Sequence, residues 1–265
     1  IADREMKKPG GGQALLFEQP TVNGKLSPIP LAINTYGSEK RMAMVLGRDS
    51  VEDAAAELNK LVKAKPPSTL GETFKLLGTA LDLRHAKPKK VKSGPCKEVV
   101  HLFDESRQAS VESPSTFNPQ PSTLLNFPIQ QCWPQDAGRF LTLPCVVTHD
   151  PDTGDRNLGL YRMQVFDGQT TALHWQLQKV AARHGRRYYE RGERMPVSVF
   201  LGGDPVYAFC ASAPLPDGLD ELLLAGWLRK KSVPLVKCET NDLEVPADAD
   251  IVLEGYVDPT EPLRD

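Results

Sequence analysis

A chain of 265 residues is long enough for one large domain or two smaller ones, with room for a sizeable core. Its 40% hydrophobic and 25% charged residues describe an ordinary globular protein, and 32 basic against 34 acidic residues leave no surplus pointing to a nucleic-acid partner. No apolar run approaches the roughly 18 residues of a membrane span, no secretory segment is visible, and five widely spaced cysteines without a CxxC pair argue against a disulfide framework or zinc knuckle and for a reducing cytoplasm.

The ends predict an internal portion of a longer protein. The sequence begins at Ile1 inside a helical pattern running to Lys8, and stops in the polar stretch Leu263-Arg264-Asp265. Residues 1–94 read as an α/β segment. Gln13–Phe17 and Ile29–Asn34 are short strand candidates, the second interrupted by Pro30. Asp49 or Ser50 caps a helix predicted over Val51–Ala64, where Ala54, Leu58, Leu61 and Val62 form an apolar stripe. A second helix is predicted over Thr69–Leu81. The basic run Lys87–Lys92, broken by Pro88, reads as a solvated connector.

Residues 95–265 read differently. A stretch rich in Ser, Pro, Gln and Asn at about 104–125 predicts a mobile surface insertion. Strands are then predicted at Phe140–Val147, Leu160–Phe166, Pro196–Leu201, Tyr207–Ala211, Val233–Cys238 and Ile251–Val257. Helices are predicted over His174–Glu190 and from about Asp217 through Glu221 to Arg229. Many short strands with few helices predict an α+β chain whose second part is barrel-like, with Trp133, Pro134 and Phe140 packing the barrel.

The most informative stretch is His149–Gly168. A turn built from Asp150, Pro151, Asp152 and Gly154 runs into Asn157, and the strand predicted at Leu160–Phe166 ends at Asp167-Gly168. Alternation sets Leu160, Arg162 and Gln164 on one face and Tyr161, Met163 and Val165 on the other. A guanidinium and two carboxamides, Asn157 and Gln164, are costly to bury unless an anion or a metal needs them. The blander alternatives are a salt-bridged Arg162 and an Asn157 that caps the turn.

Further along, His174-Trp175-Gln176 heads a predicted helix, with His174 equally readable as a packing residue. Leu201–Pro205 is a strand running into a glycine turn. The proline-rich turn Ala211–Asp217 opens the helix carrying Glu221, a carboxylate that the helix dipole alone could also explain. His149 and His184 read as surface residues, and Glu239 and Glu244 as structural ones.

Four motifs in order carry a resemblance: Thr-Gly-Asp-Arg-Asn-Leu-Gly-Leu-Tyr-Arg-Met-Gln (153–164), His-Trp-Gln (174–176), Leu-Gly-Gly-Asp-Pro (201–205) and Asp-Leu-Glu-Val-Pro-Ala (242–247). Together they resemble the UbiD family of decarboxylases, from about Ile1 to Asp265. The resemblance implies a split β-barrel flavin-binding domain at 95–265 behind the N-terminal α/β segment, without the C-terminal oligomerisation domain of the family. It implies non-oxidative decarboxylation of an aromatic or α,β-unsaturated carboxylic acid through a covalent prenylated-FMN adduct, in ubiquinone or menaquinone biosynthesis. The implied partners are a small aromatic acid, a flavin prenyltransferase as cofactor supplier and further copies of the full-length chain. A prenylated substrate would add peripheral membrane association.

The resemblance also assigns residues. Asn157 and Glu221 match ligands of the Mn²⁺ or Mg²⁺ that bridges the cofactor phosphate, and hard oxygen donors suit such an ion. Gln178 stands where the family commonly has a third, histidine ligand. It would ligate through its amide oxygen, or His174 would substitute one turn earlier, or water would fill the place. Arg162 matches the catalytic arginine that holds the substrate carboxylate and orients the proton-donating acid. Gly159, Leu160 and Tyr161 match backbone that lines the isoalloxazine, and Ala211, Ser212, Ala213 and Pro214 match a strand end that contacts the cofactor. The two acids that partner the arginine are expected beyond Asp265, so this portion alone is expected to bind prenylated FMN or FMN without turnover. The alternative reading is an FMN-binding split-barrel protein or fragment without catalysis. A flavin reductase is a third reading, with no nicotinamide pocket to support it.

Overall fold

The computed structural model of the chain describes residues 1–22, 24–62, 85–102, 123–215 and 218–261. Its N-terminal part is made of short elements. Helix α1 (Ala2–Met6) leads to strands β1 (Leu15–Phe17), β2 (Thr21–Val22), β3 (Lys25–Leu26) and β4 (Leu31–Ile33), then to helices α2 (Glu39–Leu46) and α3 (Val51–Val62). Both longer helices start at a serine whose hydroxyl satisfies an orphan amide. Ser38 Oγ accepts from Arg41 N at 3.2 Å, and Ser50 Oγ from Asp53 N at 3.1 Å. The predicted helix over 69–81 and nearly all of the predicted insertion lie outside the described residues.

The remaining elements are β5 (Lys89–Lys90), β6 (Arg139–Leu141), β7 (Cys145–His149), β8 (Arg156–Leu160), β9 (Met163–Val165), β10 (Thr171–Leu173), helix α4 (Val180–Arg191), β11 (Met195–Leu201), helices α5 (Val206–Ser212) and α6 (Glu221–Arg229), and strands β12 (Pro234–Lys237), β13 (Glu244–Pro246) and β14 (Ile251–Val257). A four-stranded sheet in the order β14-β11-β7-β8 is the centre, flanked by the three-stranded sheets β10-β9-β6 and β13-β12-β5. The architecture is a mixed α/β one of several small sheets, and among the described residues none of them closes into a barrel.

Both faces of the central sheet are covered. On one face Cys145, Val147, Leu158 and Phe200 pack with Val206 and Cys210 of α5 and Leu222 and Ala225 of α6. On the other, Val146, Met195, Val197 and Val199 pack with Tyr161, Met163 and Ala181 of α4. Double coverage explains the unbroken apolar run at Cys145–Val147, which a one-sided sheet would not need. Cys145, Cys210 and Cys238 are buried and all five cysteines are free. No helix among the described residues is long and apolar enough to cross a membrane.

Several predicted elements need correction. The basic run is not a free connector, because Lys89–Lys90 pairs in parallel with Pro234–Leu235. Phe140–Val147 is two strands in different sheets, parted around Pro144, which has no amide to give a ladder. Leu160–Phe166 is likewise split at Tyr161-Arg162, where the chain leaves the central sheet for the β6–β10 sheet. The inward set Tyr161, Met163 and Val165 survives that break. Tyr207–Ala211 is helical: Asp204 accepts from Val206 N, and the buried residues Val206, Tyr207, Cys210 and Ala211 follow helical spacing. The helix predicted from His174 starts only at Val180. Trp133 packs no barrel and is 58% exposed.

Candidate functional site

The hairpin β7–β8 builds the site. Its loop is held by Asp150, whose amide reaches Asp155 O and whose carboxylate accepts from Asp152 N at 2.9 Å. The resulting register sets Thr148 opposite Asn157 and His149 opposite Arg156. Asn157 therefore sits in a strand, not in the turn before it, and it is only 4% exposed. Its Nδ2 lies 3.5 Å from both Thr148 Oγ1 and the Tyr161 hydroxyl. Gly159, between Asn157 and Tyr161 on the same face, makes room for that tyrosine. A Cβ there would come within 2.3 Å of the ring.

Strand β8 is an edge of the central sheet, so its outward amides need partners from elsewhere. Glu221 supplies one. At the first position of α6, its Oε2 accepts from Leu158 N at 2.9 Å. Burial pushes the Glu221 carboxyl up to about 7, against the pull of the Leu158 amide. A buttress holds α6 in place. Asp220 caps it by accepting from Leu222 N at 2.8 Å, and Arg156 donates to Asp220 Oδ2 at 2.8 Å and to Glu244 Oε2 at 2.7 Å. Glu244, read from the sequence as a structural carboxylate, is thus ion-paired with Arg156.

The other residues singled out in the sequence lie as follows. Arg162 is exposed, with its guanidinium 5.2 Å from the centre of the Phe140 ring, and its carbonyl accepts from His174 N at 3.1 Å. Leu160 is half-buried against the α5–α6 core. Ala211, Ser212, Ala213 and Pro214 form the C-terminal end of α5 and the turn after it, not a strand end; Ser212 Oγ donates to Phe209 O at 2.8 Å. Gln178 and His174 are exposed in the segment before α4, and Gln178 donates to Gln176 Oε1 at 2.8 Å. No hydrogen bond or ion pair among the described residues joins either of them to Asn157 or Glu221.

Three neighbours of the site escaped the sequence reading. Arg156 lies inside the 153–164 motif but was given no role of its own, and Thr148 lies in no motif. His184, read as a surface residue, is 4% exposed, with Nδ1 3.0 Å from Thr148 Oγ1. Burial pushes its imidazole down to about 4. Its Nε2 lies 3.9 Å from Asp150 Oδ2, and Asp150 is in turn bound by Arg187. The signal was the apolar stripe of α4, where Ala181, His184 and Gly185 share the buried face.

Among the described residues no three His, Cys, Asp or Glu side chains gather into a metal cluster. Glu221 instead meets the strand at the amide of Leu158, one residue after Asn157, so one carboxylate and one carboxamide belong to neighbouring positions of β8. Two hard oxygen donors suit a divalent cation, and a carboxyl kept partly protonated by burial has no charge partner strong enough to hold it ionised. These two fit the group; Gln178 is not brought to them.

A family model described as the 3-octaprenyl-4-hydroxybenzoate carboxy-lyase Rift-related domain matches residues 89–265, and the N-terminal domain of the same carboxy-lyase matches residues 1–61. An uncharacterized protein of Archaeoglobus fulgidus is 42% identical over 258 residues, covering 97% of this chain and 48% of that relative. An evolved dimeric form of HmfF from Pelotomaculum thermopropionicum, solved in complex with prFMN, has a TM-score of 0.70 at 25% identity over 98% of this chain and 51% of its own. The vanillic acid decarboxylase of Sedimentibacter hydroxybenzoicus in its closed form gives a TM-score of 0.70 at 22% identity, with 98% of this chain and 48% of that one covered, a likeness of fold. The chain spans about half the length of the curated relatives it matches.

Proposed function

The chain belongs to the UbiD family, and on that premise we propose that its protein is a carboxy-lyase that removes CO₂ from an aromatic or α,β-unsaturated acid without net oxidation. In this reading residues 1–94 are an N-terminal α/β segment and residues 95–265 a split-barrel flavin domain. The cofactor is prenylated FMN, or FMN in an unmatured state, held with Mn²⁺ or Mg²⁺. The observation that carries the proposal is the contact of Glu221 with the amide of Leu158, the residue that follows Asn157 on the strand.

The roles follow from chemistry. Asn157 and Glu221 would hold the cation, and the cation would neutralise the cofactor phosphate. Gly159, Leu160 and Tyr161 would line the flavin, with the end of α5 (Ala211–Pro214) as a second wall. Prenylated FMN, when bound, supplies the electron sink for decarboxylation. Arg162 would hold the substrate carboxylate. Its exposure leaves its donors reachable, and the Phe140 ring beneath it limits where the guanidinium can swing. A flavin prenyltransferase as supplier, self-association of the full-length protein, a cytoplasmic location, a quinone-pathway acid and peripheral membrane association belong to the same reading. The 25% identity to an enzyme solved with prFMN supports it.

The test is co-expression of the full-length protein with a flavin prenyltransferase, followed by an absorption spectrum and a CO₂-release assay on aromatic acids. A coloured protein that releases CO₂ is expected. A colourless one that binds neither flavin nor Mn²⁺ would sink the proposal.

A further inference from the structure

Resting on the reading of Asn157 as an oxygen donor to a cation, we propose that Thr148 and His184 are positioning residues that fix which end of the Asn157 carboxamide faces that cation. A carboxamide can ligate a hard ion only through oxygen, and its two ends are nearly equal in size. Something must therefore decide the flip. Here the decision comes from a buried chain of donors and acceptors.

Thr148, Asn157 and His184 are 0%, 4% and 4% exposed, so water does not arbitrate among them. The cross-strand register puts Thr148 beside Asn157, and α4 lays His184 over both strands. The Asn157 amide nitrogen is 3.5 Å from Thr148 Oγ1, and Thr148 Oγ1 is 3.0 Å from His184 Nδ1. A threonine hydroxyl has one proton. If Oγ1 accepts from Asn157, its own proton goes to His184 Nδ1, and the imidazole carries its hydrogen on Nε2. That nitrogen lies 3.9 Å from Asp150 Oδ2, a carboxylate anchored by Arg187, whose charge favours a hydrogen on the facing nitrogen. The opposite flip would need the hydrogen on Nδ1 and would leave a bare Nε2 facing a carboxylate, two acceptors in opposition. Asp150 thus sets the tautomer, the tautomer sets Thr148, and Thr148 holds the nitrogen of Asn157. The Tyr161 hydroxyl, also 3.5 Å from Nδ2, can accept from the same nitrogen and so accommodates this orientation. The carboxamide oxygen is left for the cation.

Two measurements on the full-length protein test this. Imidazole ¹⁵N NMR of the metal-free protein should show His184 with its hydrogen on Nε2. Mn²⁺ titrated in the presence of FMN should bind Thr148→Val, nearly isosteric but without the hydroxyl, roughly 10- to 100-fold more weakly than wild type, the range for losing a group that orients a ligand. Thr148→Ser should restore the affinity, which a purely packing role for the lost hydroxyl would not produce. A hydrogen on Nδ1, or Thr148→Val binding Mn²⁺ as tightly as wild type, would overturn the positioning role alone. A wild-type protein that takes up no Mn²⁺ would overturn the reading of Asn157 beneath it as well.

Discussion

Glu221 Oε2 accepts a hydrogen bond from Leu158 N at 2.9 Å, across 63 positions of sequence. This contact closes the open edge of β8 and delivers a carboxylate to the peptide that follows Asn157. Glu221→Gln keeps an oxygen acceptor for Leu158 N and removes the charge. The variant should fold and should lose Mn²⁺ affinity by roughly 100-fold or more, since a ligand matters at least as much as the groups that orient it; calorimetric titration reads it. Glu221 ordinarily titrates at 4.5 and is held at about 7 in the fold. A raised acid binds extra protons when folded, so its stabilisation is complete below 4.5 and is lost as pH rises through 7. Without metal, Glu221→Gln should therefore gain on wild type over that window, on the order of 1–3 kcal/mol after allowance for solvent.

The same protonation predicts proton release. Near pH 7 a part of the metal-free molecules carries a protonated Glu221, and a divalent cation would expel that proton. Mn²⁺ titrations in buffers of different ionisation enthalpy should show a buffer-dependent heat at pH 6.5 that vanishes in Glu221→Gln.

His184 gives the opposite pH slope. Its ring is held at about 4 against an ordinary 6.5, so the folded form binds fewer protons than the unfolded one between those values. The stabilisation is present above 6.5 and is lost as pH falls toward 4, by up to ~3 kcal/mol. Urea midpoints at pH 7 and pH 5 should differ in wild type, and differ less in His184→Asn, which has no titrating ring.

Arg156 bridges Asp220 and Glu244 with 14% of its side chain exposed. Arg156→Ala should cost ~2–4 kcal/mol, because two carboxylates lose their shared cation. Arg156→Lys should recover little, since one ammonium cannot span both partners with the fork geometry of a guanidinium. Denaturant unfolding checks both variants.

Gly159→Ala brings a methyl within 2.3 Å of the Tyr161 ring in a strand buried on both faces. A loss of ~1–3 kcal/mol and a displaced Tyr161, seen as a change in tyrosine fluorescence, are expected.

Where local signals and tertiary context agreed, the sequence was readable. Ser50 caps its helix as its spacing predicts, and the inward set Tyr161, Met163 and Val165 faces the core. Local patterning could not foresee that Leu160 and Met163 serve different sheets, because the two-residue break at Tyr161-Arg162 leaves the alternation of buried side chains intact. Tyr207–Ala211 misled for a related reason: a short run of aromatic and small residues suits strand and helix alike, and only the turn in which Asp204 accepts from Val206 N decides for the helix. In the candidate site, Asn157 and Glu221 were singled out through the family resemblance. Thr148, Arg156 and His184 were given no role there, because their roles exist only through partners distant in sequence, such as Glu244 for Arg156. His184 in particular looked like a surface histidine until α4 turned it inward.

In the proposed function Asn157 and Glu221 hold the cation of a flavin-dependent decarboxylase. Electron paramagnetic resonance of Mn²⁺ on the full-length protein, reconstituted with prenylated FMN, tests it most directly. A bound-Mn²⁺ signal is expected in wild type and should be lost in both Asn157→Ala and Glu221→Gln while each variant stays folded. A wild type without bound Mn²⁺, or variants that keep the wild-type signal, would contradict it.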